Sequence, residues 1–77
     1  MSGRTGPVIA LGEERLVLGF ALAAVEVVAA ESPAEVLAAW RRLPPDAAVL
    51  FLTPMARAAL GDHLRERPQL LHAELPP

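Results

Sequence analysis

Apolar residues along this chain follow two different habits. Val8–Leu11 and Ala47–Leu52 are unbroken apolar runs of strand length, the pattern of strands covered on both faces. Val25–Ala29 is similar but carries Glu26, and Leu70–Leu75 alternates, with Leu71, Ala73 and Leu75 against Leu70, His72 and Glu74. Alternation predicts one covered and one wetter face, as at a sheet edge. Between the runs, apolar residues recur at helical spacing. The plan is β-α-β-α-β-α-β, which predicts parallel strands joined by right-handed crossovers. The purely apolar first and third runs belong in the middle and the other two at the edges. The expected fold is therefore a small doubly wound (Rossmann-like) α/β sheet of four parallel strands, order 2-1-3-4, with three helices.

Local signals place the helices. Gly12 offers a turn after the first run, and Glu13 and Glu14 suit the positive end of a helix dipole. In that first helix Leu16, Phe20 and Ala23 share a face, while Leu18 and Leu22 form a second stripe. Gly19, lying between them, is expected to admit a neighbouring backbone. A helix apolar nearly all round, in so small a protein, is expected to meet a partner. Ser32-Pro33-Ala34-Glu35 reads as an N-cap, a first-turn proline and a capping box. The second helix then turns Val36, Leu37, Trp40 and Leu43 inward and Glu35, Arg41 and Arg42 outward, ending at Pro44-Pro45-Asp46. Thr53-Pro54 repeats the cap and proline. Ala56, Ala59, Leu60, His63 and Leu64 trace the inner face of the third helix, opposite Arg57, Asp62, Arg65 and Glu66. Gly61 is expected to weaken that helix by about 1 kcal/mol unless close packing requires it.

Composition narrows the chemistry. With 77 residues the chain holds one domain, 7–77, after a flexible 1–6. Phe20, Trp40 and Phe51 are the only aromatics, so Ala, Val and Leu must build the core. No cysteine is present, which excludes disulfides, thiolate metal sites and thiol catalysis. All seven basic residues are Arg, which excludes Schiff-base lysines and a P-loop lysine. A net charge of -2 gives no general attraction to nucleic acid or anionic lipid. The greasy stretch Leu16–Ala30 contains Glu26 and is shorter than the roughly 20 residues that cross a bilayer.

Ligands of doubly wound sheets sit beyond the carboxyl ends of the strands at the switch point. Here those ends carry Gly12-Glu13-Glu14 and Thr53-Pro54: two carboxylates that repel phosphate, and a proline that lacks an amide donor. The G-x-G-x-x-G fingerprint is absent. A receiver domain of the response-regulator kind needs an Asp ending the third strand and a later lysine, and neither exists. Glu13 and Glu14 diverge by about 100° on a helix and have no further ligands at hand. His63 reads as a border residue and His72 as the exposed side of an edge strand, neither with a carboxylate or second histidine at ligand spacing. Trp40 reads first as core, although tryptophan is enriched at interface centres. No nucleophile–base pair is visible, and no cofactor is expected.

One ordered set of motifs resembles a known family. Val8-Ile9-Ala10-Leu11-Gly12-Glu13, Leu18-Gly19-Phe20 and Leu22-Ala23-Ala24-Val25 are similar to the opening of the F subunit of V-type (A/V-type) ATP synthases. The likeness continues through Ala30-Glu31-Ser32-Pro33-Ala34-Glu35, Arg41-Arg42-Leu43, Leu52-Thr53 and Glu74-Leu75-Pro76. It departs at Ala21, where the family has Arg, and at Ala24, where it has Gly. The chain also stops where the family continues into a C-terminal helix, so regulation through that helix does not carry over. The resemblance implies a non-catalytic central-stalk (rotor) component, cytoplasmic and peripheral to the membrane, docked on the coiled-coil D subunit of a V-type ATPase. A partner would meet Leu18, Leu22, Trp40, His72 and Glu74, and without it weak self-association or low stability is expected. The alternative reading is a small binding or regulatory module with a small-molecule ligand at the switch point.

Overall fold

The computed structural model describes residues 6–20 and 25–75, and for Phe20 the backbone alone. The expected flexible segment 1–6 therefore falls, apart from Gly6, outside the described residues, as does Leu22. Four strands, β1 (Val8–Gly12), β2 (Glu26–Ala29), β3 (Val49–Leu52) and β4 (Leu71–Glu74), form one parallel sheet in the order β2-β1-β3-β4. This is the order that edge polarity requires, and three helices connect the strands: α1 (Glu14–Val17), α2 (Pro33–Arg42) and α3 (Pro54–Leu60).

The sheet's two faces are unequally covered. Ile9 and Leu11 of β1 and Leu50 and Leu52 of β3 are fully buried beneath α2 and α3, with Val36, Trp40, Ala56 and Leu60 packed on them. Opposite, the buried set shrinks to Ala10, Val17 and Leu75, with Val25, Val27 and Phe51 half-buried around it. The cause is α1. Over the described residues it is a single turn followed by a 3-10 turn, Leu18–Phe20, where the apolar stretch predicts continuous α-helix. One turn presents one residue to the sheet, and that residue is Val17, which lies in neither predicted stripe. Leu16 is only half-buried, and the rest of its predicted face, the Phe20 side chain and Ala23, lies outside the described residues.

The expectation for β4 is corrected. Leu71 and Ala73 lie on the predicted covered face but are exposed, Leu71 by 63%, while the described α1 packs over β1 and β2 at the other side of the sheet. Leu75 alone of that row is buried.

The caps form as their residues dictate. Ser32 Oγ accepts the Glu35 amide at 3.2 Å, whereas the Glu35 carboxylate takes the amide of Glu31, not that of the cap, at 2.7 Å. Thr53 Oγ1 accepts the Ala56 amide at 3.3 Å. Gly61 ends α3 with φ 48°, after which the chain continues as the 3-10 segment Gly61–Glu66. A side chain at Gly61 would meet open space, so its backbone angle, and not close packing, is what requires glycine there. Gly19 likewise faces open space, and no backbone among the described residues approaches it.

Candidate functional site

At the switch point, β1 and β3 are neighbours and the chain leaves them toward opposite faces. The crevice is filled by the protein's own side chains. Thr53, fully buried, donates its hydroxyl to Glu13 Oε1 at 2.6 Å while capping α3. That hydrogen bond, helped by the Glu13 backbone amide and to a small extent by Arg15, holds the Glu13 carboxyl below the ordinary value of 4.5. Gly12 makes the approach possible, since a Cβ there would overlap the Thr53 side chain. Nearby, the Glu31 carboxylate accepts the Glu14 amide at 2.8 Å, at the start of α1. Two carboxylates thus stand where an anionic ligand of this fold class would sit, and one of them already uses a backbone donor.

A second polar cluster ties the helical layer together. Trp40, 3% exposed, donates its indole N–H to Glu66 Oε1 at 3.1 Å. Glu66 Oε2 lies 2.9 Å from His63 Nδ1, so His63 does have a carboxylate partner, three residues on. The indole and His63 together lower the Glu66 pKa. Arg67 stacks on the Trp40 ring at 5.2 Å and donates to the carbonyls of Pro44 and Leu43 at 3.1 and 3.2 Å, holding the end of α2. Glu66, predicted to face water alone, is recruited because the 3-10 segment turns its side chain back toward the indole. The sequence signal for this was the spacing of His63 and Glu66, one helical turn apart.

Of the residues predicted to meet a partner, Leu18 is 53% exposed and His72 and Glu74 are exposed on β4. Trp40 is buried in the core, where a docked molecule would meet Glu66 and Arg67 before the indole. Sequence reasoning missed Leu71, the most exposed large apolar side chain described. A cleft of about 460 Å³ beside β4 is lined by Arg57, Asp62, Arg65, Arg67 and His72.

Among the described residues, no group of three or more His, Cys, Asp or Glu side chains is placed to hold a metal ion, and no helix is long and apolar enough to cross a membrane. Compared with protein-family models, curated proteins and solved structures, the chain matches none of them.

Proposed function

We propose that this chain is a non-catalytic docking domain: a central-stalk component, akin to the F subunit, of a V-type ATP synthase or ATPase, seated on a coiled-coil partner. The observation that carries the reading is the open sheet face. Leu71 and Ala73 of β4 and Leu18 beyond α1 are exposed on the side that α1 covers only in part. Exposed apolar surface of this kind is what an interface uses. The motif resemblance from Val8 to Pro76, together with the 2-1-3-4 sheet order, supports the choice of partner. The carboxylates of Glu13 and Glu31 at the switch point weigh against the alternative of a small anionic ligand there.

Co-expression with a V-type coiled-coil stalk protein, followed by gel filtration, tests the reading. A stoichiometric complex that is lost with Leu71→Glu is the expected result. Two separate peaks from well-folded proteins would overturn it.

A further inference from the structure

The outer edge of β4 carries a self-complementary pattern. In a parallel pair, the N–H and C=O of one residue point to the same side of the strand. The Leu71 amide bonds Ala48 O at 3.2 Å and the Leu75 amide bonds Leu52 O at 2.7 Å, so Leu71, Ala73 and Leu75 aim their backbone groups at β3. His72 and Glu74 therefore aim theirs outward, where no strand of the described residues lies. Next in that series is Pro76, which has no amide hydrogen. The free edge thus offers two donors and two strand acceptors, on residues of complementary side-chain chemistry.

We infer that two copies of this chain pair through β4, antiparallel about a twofold axis at Ala73, to make one continuous eight-stranded sheet. In this register His72 faces Glu74 of the other copy twice, and each couple exchanges both backbone bonds, so all four outward amides are used. Ala73 meets its own counterpart as the close, non-hydrogen-bonded pair. Leu71 comes opposite Leu75 on the open face and is covered there. Other registers do worse. Centring on Glu74 sets like charges together and calls on the donor Pro76 lacks. Centring on His72 brings Glu74 opposite Leu70, whose amide is already bonded to Arg67 O at 3.0 Å.

Charge complementarity extends beyond the strand. His72 lines the cleft with Arg57, Arg65, Arg67 and Asp62, three arginines to one carboxylate, which stands 4.0 Å from Arg65. The Glu74 carboxylate of the second copy, opposite His72 on the same sheet face, enters that basic cleft. Twofold symmetry supplies the contact twice, and because each copy uses the same edge the pairing closes at a dimer. Pairing of this kind covers Leu71 and Ala73, which stalk docking also uses, so the two are alternative occupants of this edge and the dimer is tested on the chain alone.

Sedimentation equilibrium of the intact chain tests it, with a dimer half-formed at about 100 µM expected for so small an interface. Glu74→Arg should weaken the dimer at least about tenfold by setting Arg against His72 and the arginine cleft. His72→Glu combined with Glu74→Arg should restore it, with circular dichroism verifying the fold of each variant. Register is read with cysteines in this cysteine-free chain. Ala73→Cys should form an intermolecular disulfide rapidly, its sulfurs facing across the axis, and Leu71→Cys should do so slowly. A monomer at about 1 mM, a dimer indifferent to Glu74→Arg, or equal crosslinking by the two cysteines would each overturn the proposal, whether or not a coiled-coil partner binds.

Discussion

Thr53 Oγ1 and Glu13 Oε1, 2.6 Å apart, join the ends of the two central strands across 40 residues of sequence. The same hydroxyl caps α3, so one buried group serves two elements. Thr53→Val keeps the shape and removes both bonds. We expect a loss of about 2 kcal/mol, the sum of a typical cap and a partly exposed side-chain bond, read from urea denaturation. Glu13→Gln, which leaves the cap intact, should cost under about 1 kcal/mol.

Acid stability should follow the same contact. Glu13 and Glu66 both have folded-state pKa values below 4.5, lowered first by Thr53 and by Trp40 respectively. A depressed folded value means that the carboxylate is favoured by folding. The stabilisation is complete above the unfolded value and is lost as pH falls through the folded one. Stability should therefore drop below about pH 4.5. In NMR titrations Thr53→Val should move the Glu13 midpoint upward and leave Glu66 unmoved, while Trp40→Phe should do the reverse.

Three glycines that look alike in sequence should behave differently. Gly12→Ala drives a methyl group into Thr53 at φ 153° and should cost more than about 2 kcal/mol. Gly61→Ala meets no atom but must hold φ 48° with ψ -124°, a region that side chains strongly disfavour, at a cost of about 1–3 kcal/mol. Gly19→Ala faces open space and should fall within about 0.5 kcal/mol of neutral. Thermal melts of the three variants would rank them.

That ranking shows where reading the sequence stops. Strand order was legible because Glu26, His72 and Glu74 mark the edges by polarity, and Ser32 and Thr53 announce their caps in place. The length of α1 was not legible. Leu16–Ala30 is apolar throughout except Glu26, and a run without polar punctuation does not say where a helix ends. From that one ambiguity follow the missed burial of Val17 and the mistaken role expected of Gly19. The Trp40–Glu66–His63 cluster was hidden for another reason: the indole and the carboxylate come from elements 26 residues apart, and only the fold brings them together.

Leu71 also separates binding from folding. With 63% of its surface exposed, it contributes little to the isolated domain, and its neighbours on the buried face of β3, Leu50 and Leu52, are sealed on the other side of the sheet. Leu71→Glu should therefore change stability by no more than about 0.5 kcal/mol, while Leu50→Ala should cost about 3 kcal/mol through the cavity it leaves. If the open face is a docking surface, the order reverses for binding. Leu71→Glu places a charge at the centre of an apolar contact and should weaken coiled-coil capture by about tenfold or more, and Leu18→Glu should do so at the far end of the same side. Isothermal titration with the stalk partner, run beside urea melts of the same samples, reads both quantities. Unchanged affinity in both glutamate variants would move the partner off this face, because no apolar interface absorbs an unpaired carboxylate at its centre without loss.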